Sequence, residues 1–206
     1  MTRPGIAARG GARSASWARV ATEAFSPAVL ATVVPVLVGA RVAEPPLLGV
    51  AWGALAAVFV GVLPYLVIRV LLRTGRIRGD HHVPERRERA LPIGLALVSI
   101  VIGLVVLAAL GAPRAVVVFG AVTVAVVVAV GVANLLWKLS GHAAVSATCV
   151  VVVLVAYGPW SLALSVPILL WTLWSRVRLG AHTPAQVIAG AAVGAGLAAA
   201  VWSLLG

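Results

Sequence analysis

AVVVFGAVTVAVVVAV, residues 115–130, carries no charge, and Thr123 is its one polar side chain. So many valines would suit a β-strand. A strand at a sheet edge leaves backbone N–H and C=O groups unpaired, however, and hydrocarbon offers them no partner. A membrane barrel would instead show alternating apolar and polar residues, whereas this stretch is apolar on every face. It therefore reads as a helix dissolved in lipid, with its backbone hydrogen bonds closed internally.

The neighbouring sequence repeats the pattern. The stretch lies within an uncharged run over 115–137, and similar runs cover 24–40, 45–68, 90–113 and 181–206. Each approaches or exceeds the ~20 residues a helix needs to cross the hydrocarbon core. A further 37 residues, 139–175, carry no formal charge with His142 neutral. That is too long for one crossing, and the turn-forming Tyr157-Gly158-Pro159 divides it in two. The expectation is an all-α polytopic bundle of about seven transmembrane helices, or six if the first run, short and containing Pro27 and Pro35, does not span. Composition agrees: 62% of the 206 residues are hydrophobic, mean hydropathy is +1.12, and a soluble domain of this size needs far more polar surface.

Residues 1–23, rich in Arg, Gly and Ala, read as a basic, disordered tail able to touch anionic lipid. No small-residue cleavage site follows a compact apolar core, so a cleaved signal peptide is not expected. Residues 24–206 form the single transmembrane domain. The lone Cys149 permits no intramolecular disulfide. Gly190 and Gly194, in a Gly-x-x-x-Gly spacing, suit close helix packing.

Of the 16 basic residues, 14 fall on one side if the spans alternate, leaving Arg41 and Arg114 on the other. Anion sites also collect arginines. Setting aside Arg86, Arg87, Arg89, Lys138, Arg176 and Arg178 as site candidates still leaves eight against two. The crowded side, with the N-terminus, is expected in the cytoplasm. Scarce lysine beside abundant Arg, Ala, Gly and Val suggests a bacterial plasma membrane.

The same parity carries three polar clusters to one face: GDHHVPERRERALP (79–92), KLSGHA (138–143) and SRVRLGAHTPAQ (175–186). Guanidinium forks match phosphate oxygens, and helix N-termini add oriented amides with partial positive charge. Ser140 and Thr183 are expected N-caps, with Pro184 at the first helical position. His142 and His182 thus stand at two helix starts. Two imidazoles beside a phosphate can divide the work, one attacking phosphorus and the other protonating the leaving oxygen.

These clusters resemble the signature of the type-2 phosphatidic acid phosphatase and vanadium haloperoxidase superfamily: Lys-x6-Arg-Pro, Pro-Ser-Gly-His and Ser-Arg-x5-His-x3-Asp. Ser175-Arg176, five residues and His182 match the third part. Ser140-Gly141-His142 matches the second, with Leu139 in place of proline. His82, six residues, Arg89 and Ala90 keep the spacing and the arginine of the first. The resemblance spans residues 80–186.

It implies a membrane lipid phosphatase with His182 as nucleophile and His142 as general acid, then base. Arg89 and Arg176 would hold phosphate oxygens, with Ser140 and the Gly141 amide adding hydrogen bonds. Arg86 or Lys138 would stand in for the missing lysine, whose position His82 occupies. Gln186 replaces the family's aspartate. It either orients His182 or merely closes a capping box with Thr183. The expected partners are a lipid phosphate substrate and the bilayer, not nucleic acid, with no metal or cofactor. Asp80, Glu85 and Glu88 sit among arginines, and so few carboxylates do not make a hard-cation cage. The alternative is a non-catalytic lipid-phosphate binder or flippase.

Overall fold

The computed structural model describes the backbone of residues 6–76 and 86–206, and side chains for 14–76 and 91–206. The described residues form helices joined by short turns, with no strand. In chain order these are α1 (Ile6–Ala24), α2 (Pro27–Val42), α3 (Pro46–Ala57), α4 (Leu63–Arg73), α5 (Arg86–Ala109), α6 (Arg114–Leu136), α7 (Gly141–Tyr157), α8 (Leu162–Arg178) and α9 (Pro184–Leu205). A π-helical turn, Val58–Val62, joins α3 to α4. Pro64 has no N–H to give the Val60 carbonyl, and the widened turn absorbs that missing bond. Ser99 Oγ donates to the Phe59 carbonyl at 2.8 Å and ties α5 to this turn.

Five helical stretches are long and apolar enough to cross a membrane: Pro46–Arg73, Leu91–Ala109, Arg114–Leu136, Pro159–Arg178 and Pro184–Leu205. A sixth arises if Ser14–Ala24 and Pro27–Val42, bent by 46° at their junction, form one span. α7 is apolar but only 17 residues long. The expectation of about seven is thus approximate, the first and fifth crossings being the short ones. The bundle's outer faces carry exposed apolar side chains such as Val98, Val105, Leu164 and Ile188. In water such a surface would be costly. This is an all-helical protein of membrane-embedded character.

The tail expectation is corrected. Residues 6–24 are helical, and the described part of α1 packs against α8. Ala18 and Ala21 are fully buried, and Thr22 Oγ1 meets Ser175 Oγ at 3.0 Å. Small side chains spaced three apart let the two backbones approach, a packing cue hidden by the segment's low hydropathy. The expected break at 157–159 is present: Gly158 adopts φ +80° and a short 3-10 turn, Pro159–Ser161, starts α8.

With α3 and α4 counted as one span, the helices from α2 onward run alternately up and down. Starts of α2, α5, α7 and α9 share one end of the bundle with the finishes of α4, α6 and α8. α7 and α9 approach closely because a Cβ on Gly190 would meet the Ser140 carbonyl, and one on Gly194 the Ala144 backbone. Thr148 Oγ1 bridges them, donating to the carbonyls of Ala144 (2.9 Å) and Gly194 (3.1 Å). At the opposite end Arg114 Nε donates to the Leu205 carbonyl at 2.7 Å.

Candidate functional site

The Ser-Arg-x5-His spacing is a helix ending. α8 runs through Ser175 and Arg176 to Arg178, and Gly180, at φ +66°, turns the chain back. The amides of Ala181 and His182 both donate to the Arg176 carbonyl, at 3.1 and 3.2 Å. This is the closure that a left-handed glycine after a helix permits. It fixes the His182 backbone beside Arg176. Thr183 then caps α9, its Oγ1 accepting from Gln186 N–H at 3.3 Å.

The second histidine is delivered by α7. Asn134 Nδ2 donates to the carbonyls of Val130 (2.8 Å) and Leu139 (3.3 Å) and holds the link from α6. Ser140 N–H donates to the Gln186 carbonyl at 3.3 Å, stitching the start of α7 to the first turn of α9. His142 follows two residues on. His142, Arg176 and His182 lie within electrostatic reach of one another, and Lys138 within reach of His182.

The cluster is positively charged and partly buried. Arg176 Nε and His182 Nδ1 are buried without a hydrogen-bond partner. Burial lowers the pKa of His182 below its ordinary 6.5, and the Arg176 and Lys138 charges lower it further. The Lys138 backbone carbonyl and the Gln186 side chain pull the other way but do not prevail. His182 is therefore held neutral, the form with a free lone pair.

Ser140, an expected ligand, and Gln186, an expected orienting residue, both serve as caps. Ser140 is fully buried, and its hydroxyl accepts from Ala143 N–H at 3.4 Å as the α7 cap. Gln186 Oε1 accepts from Thr183 N–H at 3.0 Å, which completes a capping box. Gln186 lies near enough to favour a charged His182, yet its oxygen is committed to the cap and His182 Nδ1 stays unpartnered. The capping box is present, and the Gln186 side chain also acts on His182. Gly141 starts α7, half-buried. Arg86 and Arg89 lie in the first turn of α5, at the same end of the bundle; their side chains, and His82 altogether, are outside the described residues.

A cleft of about 830 Å³ opens at this end between α2, α4 and α7. Of the cluster, His142 alone lines it, together with Thr22, Glu23, Tyr65 and Arg69 among others. Arg69 lies 5.9 Å from the Tyr65 ring centroid and shares this wall. A second, apolar groove of about 560 Å³ runs along α7 between α2 and α8. Neither was foreseen, since both arise between helices remote in sequence.

No protein-family model, curated protein or solved structure significantly matches this chain.

Proposed function

We propose that this protein is an integral membrane phosphatase that removes phosphate from a lipid phosphate or diphosphate. One observation carries the reading: two imidazoles, a guanidinium and an ammonium converge at two helix starts, with Arg176 Nε and His182 Nδ1 buried and unpartnered. An unmet guanidinium N–H at a buried position favours an anion. A tetrahedral phosphate offers the several acceptor oxygens that this set lacks.

In the proposed reaction neutral His182 attacks phosphorus, and the bond from phosphorus to the lipid oxygen breaks. His142, protonated for this step, passes its proton to the departing alcohol. Water then loses a proton to His142 and attacks the phosphohistidine, releasing inorganic phosphate and restoring His182. Arg176 and Lys138 stabilise charge on the phosphate oxygens, with the Gly141 amide at the start of α7. Arg89, Arg86 and His82 complete the proposed phosphate-binding set. By the lopsided basic residues, the site faces the cytoplasm of a bacterial plasma membrane.

A second reading has one observation in its favour. Gln186 is tied into its cap, so no described carboxylate orients His182, and a binder or flippase that does not hydrolyse would need none. The deciding measurement is phosphate release by the full chain in lipid nanodiscs. The panel comprises phosphatidic acid, phosphatidylglycerol phosphate, and polyprenyl phosphate and diphosphate, with EDTA present. His182→Ala is expected to lose release by at least about a thousandfold, as removal of a nucleophile does. Equal release from both proteins would sink the hydrolase; binding without release by the wild type would establish the second reading.

A further inference from the structure

Ser146 lies one turn beyond His142 on α7, so both face the same side of the helix. Its side chain is 2% exposed, and its hydroxyl has no hydrogen-bond partner. A helical serine ordinarily donates to the carbonyl four residues back; Thr148, two residues on, does so. Ser146 instead borders the apolar groove between α2, α7 and α8, whose other hydroxyls, on Tyr157, Ser161 and Ser165, are all engaged by backbone carbonyls. Leaving a buried hydroxyl unpaired is unfavourable, and an oxygen acceptor in the groove would relieve it.

The groove and the His142 cleft are neighbours. Val33 of α2 borders both. From there the groove follows α7 past Cys149 and Val153 to Tyr157 at the far end. An occupant passing from one to the other would be polar at His142, carry an acceptor about 6 Å deeper, and be hydrocarbon beyond. A glycerol-based lipid phosphate has this order: phosphate, ester carbonyl, acyl chain. A polyprenyl phosphate is hydrocarbon immediately after its phosphate and leaves Ser146 unpaired.

We infer that the groove seats an acyl chain of the substrate and that Ser146 donates a hydrogen bond to its ester carbonyl, selecting acylated glycerol phosphates over isoprenoid phosphates. The inference rests on the phosphate site proposed above. Its test compares diacyl phosphatidic acid with the dialkyl ether analogue, which lacks the carbonyl, for the wild type and Ser146→Ala in nanodiscs. The wild type is expected to favour the ester about tenfold in kcat/KM, and Ser146→Ala to bring that ratio close to one. The lipid-free variant is expected to melt higher, because it no longer buries an unpaired hydroxyl. Equal use of ester and ether by the wild type, or an unaltered ratio in the variant, overturns the role of Ser146 and leaves the hydrolase standing. If neither lipid is hydrolysed, release from the wider panel still tests the hydrolase, and thermal stabilisation by the same two lipids decides the groove. Stronger stabilisation by the ester, lost in Ser146→Ala, supports the groove; equal or absent stabilisation overturns it.

Discussion

At His182, burial and neighbouring cations outweigh the hydrogen-bonding groups around the ring. Burial and two cations hold it neutral below pH 6.5, so the acid limb of a pH–rate profile should lie on the acid side of an ordinary histidine. Lys138→Gln removes one of the lowering charges. The limb is then expected to move to higher pH, which a profile of the variant against wild type would read. An unmoved limb would mean that Lys138 does not act on His182. The stability linkage has the same sign. A histidine whose folded pKa is lowered binds its proton sooner when unfolded, so its contribution to stability is present above about 6.5 and is lost as pH falls below it. Gln186→Glu keeps a residue that can close the capping box and adds a carboxylate near the ring. It is expected to raise the His182 pKa and lift turnover at neutral pH by about tenfold, one unit of differential interaction. Unchanged pH dependence would show that position 186 serves only the cap. The motif made Arg176, His142 and His182 legible as candidates. A serine before a glycine can serve a cap or a ligand, and at Ser140 the structure shows the cap that was expected.

The elements that matter most are two helix starts and the contact between them. α7 and α9 touch through Gly190 and Gly194, against the backbone at Ser140 and Ala144. Gly194→Ala places a methyl against backbone that cannot swing aside. The expected loss is about 1–3 kcal/mol, the range for overpacking, seen as a lower thermal midpoint together with weaker phosphate release as the two histidines separate. A midpoint equal to wild type would contradict the close approach. The capping box at α9 is more modest: Thr183→Ala is expected to cost about 1 kcal/mol. α1 is the element that hydropathy misjudged. Its buried face consists of alanines, which score poorly on apolar scales but permit close docking, and Thr22 fastens it to the arginine-bearing end of α8 through Ser175.

Across the whole molecule, alternation of the helices places Arg19, Arg69, Arg73, Lys138, Arg176 and Arg178 at the end that holds the site, while Arg41 and Arg114 mark the other. The proposed orientation has a direct check, because the single native cysteine, Cys149, is buried and gives a quiet background. A membrane-impermeant maleimide applied to intact cells should label Glu44→Cys, in the α2–α3 turn, and spare Arg76→Cys until the membrane is opened. The reverse pattern would place the site outside. That the chain folds into apolar helices of membrane-crossing length, and that the clusters at 138–143 and 175–186 share one end of the bundle, was legible in the sequence alone. Each depends on how a single segment partitions between water and hydrocarbon, and on counting crossings. Tertiary structure alone decided that α1 docks, that Arg176 Nε and His182 Nδ1 lack partners, and that Ser146 borders a groove. Those outcomes depend on which helices far apart in the chain pack against each other, and on whether a hydroxyl or amide finds its partner on its own helix or on a neighbour.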